Sequence, residues 1–130
     1  MTPRLTLFAL AGLVLCANAP VFAHHSLSAF DLSSRVTVTG TVASLAWTNP
    51  HALLEIDGAE VDGGQKRWTI ELASPTQLQR LGWTSGDLRY RDRVTAVVFP
   101  LKSGEPGGVL VEVTLADGRV LANGGAAAPR

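Results

Sequence analysis

Three histidines, His24, His25 and His51, are the side chains best suited to hold a ligand, because a neutral imidazole is a nitrogen donor for transition metals. Their chemistry depends on what precedes them. Arg4, an apolar run over 5–17 and a small-residue stretch ending Val21-Phe22-Ala23 follow the order of a secretory signal peptide, so residues 1–23 are expected to be cleaved after Ala23. His24 then becomes the chain start and offers an α-amine beside an imidazole. The amine titrates near ~8 and the ring near ~6.5, so both shed protons at modest cost near neutral pH. Nitrogen ligands favour Cu(II) among divalent first-row metals, which makes copper the expected ion, with His51 as a further nitrogen and His25 as its alternative.

A plainer reading stands beside this one. His24-His25 can be a solvated chain start, and His51 a half-buried strand residue bonded to backbone near Asn49 and Pro50. Trp47, Trp68 and Trp83 can form a stacking platform, yet each sits at an apolar strand position or a helix end and reads more simply as core. Trp47 is the one expected to be partly exposed, and with Asn49 it is the candidate ligand contact on the rim that carries His51. Asp31, Glu55, Asp57 and Glu71 form no pair whose environments the sequence sets apart, so they read as solvated strand residues. There is no Gly-x-Ser-x-Gly elbow, phosphate-binding glycine loop or zincin motif, and no enzyme is expected.

The 130 residues are 46% hydrophobic with 11 basic and 11 acidic side chains, as in one compact domain. The balanced charge gives no footprint for a phosphate backbone, so nucleic acid is not an expected partner. The leader's apolar run is shorter than the ~20 residues of a spanning helix, so no membrane insertion is expected after cleavage. Leu15 stands before Cys16, where lipoprotein processing takes a small residue. Removing the leader leaves 107 residues with neither Arg4 nor Cys16, hence a net charge of minus one and no disulfide.

The elements that must position these side chains are mostly strands. Val36, Val38 and Val42 alternate with threonines, and the apolar parity then switches to Leu45 and Trp47, which predicts a bulge or bend near 40–44 that curls a long first strand. Residues 51–56 resume as a second strand beyond Pro50, 57–65 read as a hairpin loop, and 66–72 as a third strand. Ser74-Pro75-Thr76-Gln77 opens a short helix with a capping box, Leu78 and Leu81 mark its buried side, and Gly82 ends it. Strands over 93–101 and 109–115 follow, the latter alternating at Val109, Val111, Val113 and Leu115. Val120 and Leu121 suggest an edge segment, and 123–130 a mobile tail. The predicted fold is mainly β: a small five-stranded, partly open barrel of the OB type over 24–122, with one short helix between strands three and four. A small mixed sandwich would satisfy the same pattern.

His24-His25-Ser26, the segment 38–42 (Val-Thr-Gly-Thr-Val), Trp47-Thr48-Asn49-Pro50-His51, Ala73-Ser74-Pro75 and Gly82-Trp83 occur together in this order. The chain resembles a family of short exported bacterial proteins bearing a domain-of-unknown-function label, whose mature chains start His-His-Ser and carry Trp-x-Asn-Pro-His. That resemblance implies a periplasmic or secreted location and a β-rich fold, and it carries over no catalytic residue. The histidine arrangement itself resembles the histidine brace of some secreted copper proteins. A binding module, for a metal ion or for a periplasmic protein partner at a sheet edge or Trp-lined face, is the expected function.

Overall fold

The computed structural model describes residues 27–59 and 64–124. The expected leader (1–23), His24, His25 and the last six residues of the expected tail lie outside the described residues. After a short 3-10 turn at Leu27–Ala29 come β1 (Val36–Ala46), β2 (Leu53–Ala59), β3 (Gln65–Glu71), helix α1 (Pro75–Arg80), β4 (Arg93–Pro100), β5 (Gly107–Leu115) and β6 (Val120–Ala122). One sheet runs in the order β3-β2-β1-β4-β5-β6 and closes on itself where β3 meets β5 in parallel. The closure spans Thr69–Glu71 against Gly107–Val109, so the barrel expected to be partly open is closed by this short parallel seam, and α1 sits between β3 and β4. This is the OB arrangement expected from the sequence; a continuous closed sheet is not a sandwich.

β1 serves both halves of the barrel, pairing with β2 and β4. Val42 lies opposite Ile56 and Ser44 opposite Glu55, so Ala43 is the extra residue of a bulge. The bulge turns Val38 and Val42, then Leu45 and Trp47, toward the same core, which explains the parity switch. At Gly40 a Cβ would run into the Asp57 carbonyl of β2, so the strands can approach here only with glycine.

Two expectations on strands are corrected. The loop expected from Asp57 begins later, because β2 continues to Ala59 and Asp57 faces Arg67 across the ladder. The unbroken alternation expected for β5 is interrupted: Val97 lies opposite Glu112 but Val98 opposite Leu110, leaving Val111 as an extra residue. Leu110, Val113 and Leu115 therefore enter the main core, and Val109 turns to the other side of the wall. There it meets Phe99 and Phe30, the latter delivered by the segment just after the 3-10 turn.

Helix α1 starts as expected. The Ser74 hydroxyl accepts from the Gln77 amide (3.3 Å) and the Gln77 side chain accepts from the Ser74 amide (3.4 Å), with Pro75 at the first turn. Ser74→Ala should cost about 1 kcal/mol in a denaturant titration. Leu78 is fully buried, but Leu81, expected on the same side, is half exposed at the C-cap, and Gly82 follows with φ of 89°. The core under α1 is filled by Trp83, whose indole N–H donates to the Ala122 carbonyl (2.9 Å).

Asn123 stands at the head of the expected tail yet is buried. Its amide donates to the Val111 carbonyl, its Oδ1 accepts from the Ala73 amide (2.7 Å), and its Nδ2 donates to the Leu110 carbonyl (2.9 Å). The ordered domain thus includes it.

Candidate functional site

The outer face of β2 and β3 forms the floor of a groove of about 690 Å³. Leu53 lies opposite Glu71, Glu55 opposite Thr69 and Asp57 opposite Arg67, so the outward side chains of the two strands form cross-strand pairs. His51, two residues before β2, reaches the end of this face and pairs through Nδ1 with the Glu71 carboxylate. Glu71 is largely covered while His51 stays open, so the carboxylate anchors the ring and leaves Nε2 as the nitrogen available to a ligand. Further along, Arg67 forks onto Asp57 (2.6 and 3.1 Å) and lies 3.6 Å from Glu55, which also accepts from the Ser44 hydroxyl at 2.8 Å. The Arg67 guanidinium holds the Asp57 carboxyl below its ordinary range. These carboxylates already have partners.

The opposite wall is apolar except for Glu105. Ala29, Phe30, Leu101 and Pro106 line it, with Gly107 and Gly108 at its base. A Cβ at Gly108 would strike the Phe99 carbonyl of β4, and one at Gly107 would crowd the Thr69 carbonyl of β3, so the two glycines let β5 approach both strands. The chain just before β1 is stapled to this wall: Lys102 donates to the Ala29 carbonyl (3.0 Å), Phe30 bridges to Leu101, and Asp31 donates its amide to the Pro100 carbonyl (2.8 Å). Asp31 then closes the turn through its side chain. The Ser33 hydroxyl (2.6 Å), the Ser34 hydroxyl (2.6 Å) and the Ser33 amide (3.0 Å) all donate to its carboxylate, lowering its pKa from 3.8 to about 2. A lowered carboxyl pKa stabilises the fold above pH 3.8, and that contribution disappears as pH falls through about 2. The stability advantage of the wild type over Asp31→Asn, measured by denaturant unfolding, should therefore shrink between pH 4 and pH 2.

Of the residues singled out in the sequence, the groove takes in His51 with its neighbour Pro50, and Glu71, which had read as a solvated strand residue. Trp47 is half-buried and packs on the main core, and Asn49 is exposed next to the cis bond to Pro50; neither lines the groove. Among the described residues no three histidine, cysteine or carboxylate side chains come together to hold a metal ion. Sequence reading passed over the pairing of Glu71 with His51 and the roles of Phe30, Leu53 and Leu101. The antiparallel register of the hairpin, which faces the start of β2 with the end of β3, is the signal that would have joined Glu71 to His51.

The model of a family of unknown function, DUF6152, matches residues 11–111, most of the chain. The chain belongs to this family. No curated protein matches the DUF6152 chain. Among solved structures it is similar to a mitochondrial single-stranded DNA binding protein of S. cerevisiae, at 16% identity and a TM-score of 0.48, covering 70% of this chain and 96% of that one.

Proposed function

We propose that this DUF6152 chain is an exported, non-enzymatic binding module that takes Cu(II) at the His51 end of the groove. The ligands are Nε2 of His51 with the α-amine and imidazole of His24, freed by removal of residues 1–23, and His25 is the alternative nitrogen. The observation that carries the reading is that Ala29 and His51 line one groove. His24 lies five residues upstream of Ala29, and five extended residues span up to about 17 Å. Support for the reading is thus one of chain length: the five residues from the stapled Ala29 back to His24 are enough to cross the groove toward His51. Glu71 supports the reading as the partner that orients a ligating imidazole, and carboxylate–histidine pairs of this kind raise ligand basicity. A protein partner docking by strand addition has a weaker basis: β6 offers an unpaired edge with Val120 exposed, but it is only three residues long, and Trp47 and Trp68 pack on the core.

Intact mass and metal content of the chain recovered from the periplasm of an expressing bacterium test this together. The expected result is a chain beginning at His24 that carries one copper. A chain that begins elsewhere, or one that begins at His24 and stays copper-free in copper-supplemented medium, would overturn the reading.

A further inference from the structure

From the loop after α1 into the first residue of β4 the sequence runs Arg89-Tyr90-Arg91-Asp92-Arg93, three arginines around one tyrosine. Tyr90 is 73% exposed, the most open large hydrophobic side chain among the described residues. The loop is held tightly. Arg91 donates its amide to the Val42 carbonyl (2.8 Å), Val42 donates to the Asp92 carbonyl (2.9 Å), and the Asp92 carboxylate accepts from the Arg89 amide (2.8 Å). Asp92, the one acid of the stretch, is thereby turned to its own backbone, and its charge leaves the stretch a net plus two. Arg91 has φ of 72°, a left-handed conformation that costs a non-glycine residue energy, and its guanidinium lies 5.7 Å from the centre of the Tyr90 ring. Strain at an exposed arginine is kept only where the surroundings enforce it, and it fixes how the arginine and tyrosine are presented.

Arg89, Arg91 and Arg93 are all exposed, and none makes an ion pair among the described residues. This contrasts with Arg67 and Arg119, which are neutralised by carboxylates. Three exposed arginines without ion pairs among the described residues, a net charge of plus two with Asp92 counted, therefore flank an open aromatic residue in a molecule whose overall charge is balanced. We infer that this loop is a docking surface for the anionic headgroups of a phospholipid bilayer, with the arginines meeting phosphates and Tyr90 seated at the headgroup level. A bilayer fits better than a nucleic acid strand. Single-strand binding uses a charged groove with successive stacking rings, whereas here one ring stands exposed on a loop and does not line the groove that carries His51.

The test is co-sedimentation of the chain starting at His24 with vesicles of equal parts phosphatidylglycerol and phosphatidylcholine, and with vesicles of phosphatidylcholine alone. Binding is expected to the anionic vesicles only, and to vanish in molar salt, where the screening length falls to about 3 Å. Arg89→Gln with Arg91→Gln should weaken it about 30-fold. Arg80→Gln with Lys102→Gln removes the same charge from exposed sites elsewhere and should leave it within about twofold. Arg91→Gly keeps the left-handed backbone and the amide bond to Val42, so it separates loss of the charge from loss of the fold; a folded Arg91→Gly protein with weakened binding supports the proposal. Equal binding to both vesicles, equal losses in the two double variants, or tighter binding to a single-stranded oligonucleotide than to anionic vesicles would overturn it.

Discussion

A chain carrying Gly-Ser-Gly ahead of His24 is expected to bind Cu(II) on the order of 100-fold more weakly than the chain that starts at His24. The extension leaves every side chain in place and moves only the α-amine. Three residues are needed, because a one- or two-residue extension would put a histidine third from the terminus, where amine, amides and imidazole make a strong copper chelate of their own. On the proposed reading the amine and the His24 ring close a chelate, to which His51, paired with Glu71, adds a nitrogen. Competition against a chelator of known affinity gives the ratio, and equal affinities would remove the α-amine from the account.

The second large effect concerns stability. Asn123→Ala is expected to destabilise the domain by about 3 kcal/mol, because it strips partners from the Ala73 amide and the Leu110 carbonyl at once. Each such group left unpaired away from water costs about 1–3 kcal/mol. For a domain of this size the loss corresponds to a melting temperature lower by more than about 10 °C. The residue ties the end of β3 to β5 just beside the barrel closure, so it also bears on the groove. Asn123→Asp should fall between the two, since it keeps the acceptor for Ala73 and loses the donor to Leu110.

Asn123 also shows where sequence reading stops. An asparagine followed by Gly124, Gly125 and a run of alanines has the composition of a mobile end, and nothing local marks its side chain as a bridge between Ala73 and Leu110, fifty and thirteen residues away. Features written in neighbouring residues were legible: the capping box at Ser74 and Gln77, the parity switch around Ala43, and the order of strands and helix that makes an OB barrel. The bulge at Val111 was not, because 109–115 alternates well enough to be an unbroken strand, and only the Phe30 and Phe99 cluster outside the barrel shows why Val109 must turn away. Leu81 misled for the opposite reason: helical spacing placed it on the buried side, but the helix ends there and the left-handed Gly82 redirects the chain.

The candidate site follows the same rule. His51 stood out as a residue type, whereas its partner Glu71 and the apolar wall of Phe30 and Leu101 come from parts of the chain that meet only once the hairpin register and the closure of β3 on β5 are set. The three arginines of 89–93 escaped because a balanced total charge conceals a local excess, which emerges when the carboxylates are seen to pair elsewhere.

The most direct test of the groove as a copper site is electron paramagnetic resonance of the chain starting at His24, loaded with one equivalent of Cu(II), compared with its His51→Ala variant. The account predicts nitrogen hyperfine structure with one nitrogen fewer in the variant, at unchanged fold. Identical spectra from the two proteins would show that copper, if held, never meets His51, and would contradict it.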